Sequence, residues 1–414
     1  MATYLELNKT LTEEEEALKK EVHRFAAEVL RPAAMELDKY PDPADVINEG
    51  SPYWEVMRKA YQLGYHTLYL PPEAGGSGIS PMGRHIFLEE LGWGAADFAV
   101  SIGVTSMPFG FAARSGNQRL MEEMVRPFAA DTEARYIGCW AITEPQHGSD
   151  TLMVGTEQFR DPATAHGVQA RLDGDEWVIS GQKSSWVSNG TVATHAALFL
   201  GVDRSRGQEG GGVAVVPLKS PGVSKGPPLN KLGQRALNQG EIFFDNVRIP
   251  KDYMIVPTPA YAYVTDAVLA SANAFMGATF TGLARAAFEE ALRYSKERVQ
   301  GGKPICEHQA VQLRLAEMFI KVETARAFSR QALIYNATTS PVQTHYSQAS
   351  KVYCTQAAFE VASTALQIHG GYGLAKQMLI EKLFRDARAA LIEDGTNEVM
   401  MLGAARRIID RYPV

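Results

Sequence analysis

The spacing of apolar residues changes character twice along this chain of 414 residues, and those two changes constrain its architecture more than any single residue does. Up to about residue 135 the apolar positions recur at helical intervals. Leu18, Val22, Phe25 and Val29 share one face of a helix that Thr12 and Glu15 open as a capping box. Pro32 and the stretch around Pro41 and Pro43 are predicted to end it, and the loop-like run Pro71–Gly78 precedes a further helical segment through Glu89 and Glu90. Near Tyr136 the texture switches to short apolar runs broken by Gly, Pro, Asn and Asp. Glu176–Ile179, Ala196–Val202, Gly212–Pro217 and Glu241–Ile249 have the length of strands. After Tyr253 the helical period returns. Ala284, Ala287, Phe288, Ala291, Leu292 and Ser295 form one stripe, and Val311, Leu315, Met318, Val322 and Ala325 form another, as in packed bundles.

Helices, then a compact β segment, then helices is not the alternation of a Rossmann fold, and no GxGxxG follows a strand. A nucleotide cofactor would have to be held by other means. The net charge of −6 argues against a nucleic-acid binder, which usually carries a basic face. Cys139, Cys306 and Cys354 are odd in number and widely spaced, so neither a disulfide framework nor a metal site is indicated. No apolar run of membrane-spanning length is expected, and the N-terminus resembles neither a signal nor a transit peptide. A cytoplasmic location is the expectation.

Chemistry concentrates where helix texture turns to strand, in Trp140-Ala-Ile142-Thr143-Glu144-Pro145-Gln-His147-Gly148-Ser149-Asp150. A strand running into a loop rich in Gly and Ser offers backbone N–H groups and hydroxyls to an anion or a polar ring edge. This string, with its Thr-Glu-Pro run leading to Gly-Ser-Asp, resembles the first signature of the acyl-CoA dehydrogenase family. Further segments match that family in order. They are Gly181-Gln-Lys183 with Trp186-Val-Ser188-Asn189-Gly190; Gly233-Gln234-Arg235; Asp245-Asn-Val-Arg-Ile-Pro250; and Glu297-Arg298 with Gly302-Lys303 and Glu307-His308-Gln309. The last are Gln367-Ile-His369-Gly370-Gly371-Tyr372-Gly373, Glu381-Lys382-Leu383, Arg385-Asp386-Ala387 and Asp394-Gly395-Thr396.

The resemblance implies an α+β fold. A helical domain would span residues 1–135, a β-barrel-like domain 136–250 and a four-helix bundle 251–414. It also implies FAD. Trp140, Ile142 and Thr143 would then meet the polar edge of the flavin ring, and Ser149 its pyrophosphate. Trp186 would lie against the ring, with Ser188 beside N5. One extra residue between Lys183 and Trp186 departs from the family's spacing. Arg298 and Gln309 would reach the diphosphate. Gln367, Gly370 and Gly371 would contact FAD in a neighbouring subunit of a homotetramer or mixed tetramer, and Thr396 and Glu398 complete the implied set. Taken alone, Trp186 reads as core, Arg298 as a surface ion pair, the two glycines as a helix stop, and His308, His369 and the methionines as structural residues.

Dehydrogenation beside a thioester needs a base for the α proton, on the far side of the substrate from the hydride acceptor. The family's Glu before Gly-Thr is Asp394 here, with Glu393 as rival. The alternative family position, around Ala270–Ala274, holds no carboxylate, and Asn273 stands where many members have Arg. Losing one methylene withdraws the carboxylate by roughly 1.5 Å. Such a displacement matters on the scale of about a hundredfold in rate. Two readings follow: a branched or cyclic acyl-CoA, or Asp simply replacing Glu on an ordinary one. An electron-transferring flavoprotein is the acceptor the resemblance implies. A nitroalkane-oxidase-like enzyme with an Asp base and a non-catalytic partner subunit are the rival readings.

Overall fold

A computed structural model describes Leu7 and residues 11–414. Its first helix, Glu13–Phe25, opens with the expected box: the Thr12 Oγ1 accepts the Glu15 N–H at 3.2 Å and the Glu15 carboxylate accepts the Thr12 N–H at 3.1 Å. Val22 and Phe25 are buried, with Leu18 and Val29 packed at the edge. Pro32, against expectation, does not end the helix. The backbone widens to a π turn over Ala26–Leu30, the Arg31 N–H reaches back to the Ala26 carbonyl, and the helix resumes over Arg31–Leu37 with Pro32 in its first turn. A residue without an N–H is tolerated at that position. The same device recurs at Met121–Val125, immediately before Arg126-Pro127.

The β segment is one eight-stranded sheet: β1 (Gly138–Ala141), β2 (Gln169–Asp173), β3 (Glu176–Lys183), β4 (His195–Gly201), β5 (Gly211–Pro217), β6 (Val223–Lys225), β7 (Ile242–Pro250) and β8 (Met254–Val256). The path runs β6-β7-β3-β2-β4-β5-β8, with β1 parallel to β4. β4 and β5 are almost wholly buried, which is why their sequences read as continuous apolar runs rather than alternating ones. Their packing fixes β1, and so the loop that follows it.

The long helices Thr258–Glu297, Gln309–Thr338 and Thr344–His369, with Leu379–Ala390 and Asn397–Arg411, form the C-terminal bundle. Both expected stripes face inward: Ala284, Ala287, Ala291 and Ser295 are buried, as are Met318, Val322 and Ala325. Two stretches, Ala96–Arg114 and Thr258–Glu297, do reach the length and apolar composition of a membrane span, contrary to the sequence reading, but 72% of the apolar window in each is buried inside the protein. They are core.

Helix Pro81–Gly94 docks on helix Thr258–Glu297 at backbone contact. A Cβ on Gly92 would lie 1.9 Å from the Thr279 carbonyl oxygen, and one on Gly282 would lie 1.9 Å from that of Glu89. At this seam Glu89 is buried against Arg285 at 3.1 Å and Arg326 at 2.9 Å, while Glu90 takes Arg285 at 2.5 Å. Burial works against ionisation of the Glu89 carboxyl, but the surrounding arginines hold it well below the usual carboxylate range. Removing one side of such a cluster leaves buried charge unpaired. Glu89→Leu is expected to cost about 3–5 kcal/mol of stability, read as a lower denaturant midpoint.

Candidate active site

The active-site turn is built where two distant segments meet. Asp394 has φ +50° and Gly395 φ +93°, so the chain makes two successive left-handed steps before Thr396 caps helix Asn397–Arg411. Asp in that conformation is strained, and three contacts hold it. Asn273, fully buried on the long helix, donates its Nδ2 to the Asp394 carbonyl at 3.2 Å. Lys351, also fully buried, donates its Nζ to the Gly395 carbonyl at 2.7 Å and to the Asn397 Oδ1 at 2.8 Å. The Thr396 N–H donates to the Ser149 Oγ at 3.0 Å. Ser149 and Thr396, both named from sequence, are thus brought into contact.

The Asp394 side chain lines a cavity of about 520 Å³ whose walls are mostly apolar, among them Trp140, Val104, Phe111, Val268 and Phe275. Burial pushes the Asp394 carboxyl up to about 6, and the Lys351 ammonium limits the rise. Lys351 is itself lowered by burial to about 8. Glu393 is placed differently. It is absent from the cavity wall, and its carboxylate accepts the Gln234 Nε2 at 2.9 Å. Burial raises it to about 7, against that hydrogen bond and the Lys231 charge.

The loop after β1 is anchored beneath. Lys183 Nζ donates to the Ile142 carbonyl at 3.0 Å and to Glu144 at 2.7 Å, and the Ser184 N–H donates to the Thr143 carbonyl at 2.9 Å. Glu144 also accepts the N–H groups of Gly167 at 2.5 Å and Val168 at 3.0 Å. Ile142 and Thr143 are therefore fixed from below. Asn189, in a left-handed conformation, ties the next loop to Ser101 at 2.8 Å, and Gln239 Nε2 bridges the Trp186 carbonyl and Ser188 Oγ at 3.3 and 3.2 Å. The Trp186 ring is 58% exposed on this braced loop, so the reading of Trp186 as core is overturned.

Arg298, Gln309, Gln367, Gly370 and Gly371 are not brought to the cavity. They sit at helix ends, with the Arg298 guanidinium 5.9 Å from the Tyr372 ring and Gln309, Gln367, Gly370 and Gly371 exposed. Gly370 ends helix Thr344–His369 at φ +59°, which alone accounts for its glycine. Glu398 is exposed in the first turn of its helix. His369 is structural as read: it stacks on Tyr294 at 4.2 Å and bonds the Ala365 carbonyl at 2.7 Å. Lys351, Gln234 and Lys231 were not singled out from sequence for this site. Their partners are distant in the chain, and only the fold brings them in.

An acid and an indole on one cavity wall, an exposed indole on the loop that Ser184 ties to Thr143, and a capped helix start at Asn397 suit a planar, phosphate-bearing redox cofactor and an acyl chain. The Trp140 Nε1 is buried without a partner, a donor that such a ring edge would satisfy. The models for the acyl-CoA dehydrogenase N-terminal, middle and C-terminal domains match residues 12–135, 139–247 and 262–409. The short-chain specific acyl-CoA dehydrogenase of Bos taurus is 30% identical over 404 residues, covering 97% of this chain and 92% of that protein. A glutaryl-coenzyme A dehydrogenase in complex with glutaryl-CoA superimposes with a TM-score of 0.86 at 26% identity, over 98% of this chain and 97% of that one. Nitroalkane oxidase, as an active-site mutant with 1-nitrooctane, reaches 0.86 at 23% identity over 97% of each chain, a likeness of fold. This chain belongs to the acyl-CoA dehydrogenase family, and it is an oxidoreductase with FAD as its cofactor.

Two substitutions test the turn. A Cβ at residue 395 would meet the Met400 Cε at 2.4 Å and the Leu152 Cδ1 at 3.0 Å. Gly395→Ala is expected to lose about 1–3 kcal/mol and to cut turnover, measured by thermal melts and steady-state rates. Lys351→Met, which keeps the stem and deletes the ammonium, is expected to lower kcat more than it raises KM. It also removes the charge that limits the Asp394 shift, so the acidic limb of the pH profile moves upward.

Proposed function

We propose that the enzyme dehydrogenates an acyl-CoA whose acyl group is branched or cyclic, with Asp394 as the base. The observation that carries this is that Asp394 is the one carboxylate among the residues lining the cavity. The base must be ionised to take the α proton, and a carboxyl raised toward neutrality by burial is a stronger acceptor once it is. The left-handed turn presents the side chain to the cavity while Asn273 and Lys351 take up the carbonyls behind it. When bound, FAD supplies the acceptor for the hydride leaving the β carbon. Ile142 and Thr143, together with Trp140 and the Trp186–Ser188 loop, would hold its ring, and Ser149, Thr396 and Glu398 would meet its chain.

Breadth in the cavity supports the bulkier substrate. The small residues Ala267 and Ala272 line it, and the shorter Asp leaves room at the reacting carbon. In the same reading, Arg298, Gln309, Gln367, Gly370 and Gly371 reach the FAD of a neighbouring subunit in a homotetramer or mixed tetramer. The exposed apolar residues Leu313, Ile320, Leu402 and Ile409 on the C-terminal helices support burial between subunits. An electron-transferring flavoprotein would reoxidise the flavin, and we place the enzyme in the cytoplasm.

Anaerobic titration of the purified flavoprotein with straight, branched and cyclic acyl-CoAs is expected to bleach the flavin fastest with a branched or cyclic member. Bleaching by nitroalkanes and by no CoA ester would overturn the reading, and equal rates on straight chains would overturn its substrate. Asp394→Asn is expected to slow bleaching by about 10²–10⁴-fold while the oxidised flavin spectrum is kept. The sign of the pH effect follows from the raised Asp394 value: the carboxylate is protonated below about 6. The reductive rate should therefore fall about tenfold per pH unit below that value and level above it.

A further inference from the structure

A second, smaller cavity of about 110 Å³ abuts the acyl cavity and shares Tyr69, Ala267, Ser271 and Phe275 with it. Where the two meet, the wall stops being apolar. The Tyr69 Oη is buried and has no hydrogen-bond partner. Beside it the Arg84 guanidinium lies 5.3 Å from the Tyr69 ring and lines the small cavity, and its Nε is also buried without a partner. Arg114, at the same end of the larger cavity, is already committed: its Nη1 donates to the Gly110 carbonyl at 3.0 Å and its Nη2 to that of Tyr69 at 2.8 Å. Asn336, the remaining amide on the small cavity, is occupied by Gln343 and Ser347. Among the described residues, no carboxylate lines that cavity.

The unpaired groups here are therefore a phenol O–H and a guanidinium N–H. A guanidinium only donates, and the one hydroxyl on the shared wall besides the phenol, that of Ser271, makes no hydrogen bond with the Tyr69 Oη. A buried donor left unpaired bears its full desolvation cost, so a chain whose walls are otherwise apolar has reason to keep such donors only if something accepts from them. Tyr69 lines both cavities and its hydroxyl is covered, so an acyl group entering from the Asp394 side would reach it where the shared wall gives way.

We propose that the acyl group carries an oxygen acceptor remote from the thioester, received by the Tyr69 hydroxyl and the Arg84 guanidinium. This rests on the acyl-CoA reading above and narrows it: the substrate is bulky and also oxygenated. The shared chemistry is an acceptor oxygen, which a ring or chain ketone, a hydroxyl or a second carboxylate would each provide. A site built to hydrogen-bond a substrate oxygen discriminates strongly against the analogue that lacks it.

The test uses the FAD-loaded enzyme and matched acyl-CoA pairs, each plain hydrocarbon set against its remote keto, hydroxy and carboxy counterparts. The value of kcat/KM is expected to favour an oxygenated member by at least about tenfold, and which member wins identifies the source of the oxygen. In Tyr69→Phe that ratio should fall by at least about tenfold. In Arg84→Gln it should fall most for the carboxylate. Plain acyl-CoAs handled as well as or better than every oxygenated partner would overturn the proposal, as would an unchanged ratio in Tyr69→Phe. The wild-type comparison decides even where the variant does not fold. Failure of the acyl-CoA reading is distinguishable, because then no member of any pair bleaches the flavin.

Discussion

The Lys351 ammonium is held, fully buried, between the Gly395 carbonyl and the Asn397 side-chain oxygen. A charge so placed is costly, and the geometry it fixes explains its presence. The two residues preceding Thr396 must both turn left-handed to present Asp394 to the cavity while Asn397 begins a helix. Left-handed steps expose backbone carbonyls that no helix or strand will accept. Lys351 takes one and Asn273 the other, from two different helices of the bundle. The position of the acid is thus a property of helix packing, and any shift of the bundle is felt at the site.

The same burial sets the acid–base character of the turn. Asp394 and Glu393 are neighbours in sequence, both raised, yet they face different surroundings. Glu393 accepts from Gln234 and lies near Lys231, in a polar network that continues through the Gln234 N–H to Asp386 at 2.5 Å. Asp394 has an apolar cavity on one side and a cation behind it. Two carboxyls at one turn therefore have separate roles open to them, a base facing substrate and a buried acid bracing the turn, because their environments differ and not their chemistry.

Much of the architecture could be read from spacing alone, because helical stripes and buried strands are local signals. The stripes from Ala284 and Val311 face the core, with Phe288, Leu292, Val311 and Leu315 half-buried at their edges, and the four runs read as strands are β3, β4, β5 and β7. Pro32 misled because its effect depends on a π turn that single-residue propensity does not encode. The two span-length stretches were missed because their apolar content is dispersed among small and polar residues. The site divided in the same way. Asp394, Ser149 and Thr396 lie in motif strings, so resemblance found them. Lys351 and Tyr69 matter through contacts with residues far away in the chain, and no local pattern marks a lysine in the middle of a helix as the partner of a carbonyl in a later turn. Trp186 was ambiguous because a tryptophan's usual place is the core. Its exposure follows from Asn189 and Gln239 holding the loop, which again is tertiary.

The proposed function joins the shorter acid to the small residues of the cavity wall. An Asp at this turn places its carboxylate about one carbon–carbon bond further from the ring side than a Glu would. Left-handed backbone geometry, set by Lys351 and Asn273, decides the direction of that side chain but does not lengthen it. A slender acyl chain in a cavity lined by Ala267 and Ala272 would settle away from the acid, and a misplacement on the order of 1 Å is enough to lose most of the rate. On the proposed reading, a bulky acyl group would fill the space those small residues leave and be pressed toward Asp394. In the reading proposed above, the Asp at the base and the small residues in the wall are one adaptation, in which substrate volume makes up for the missing methylene.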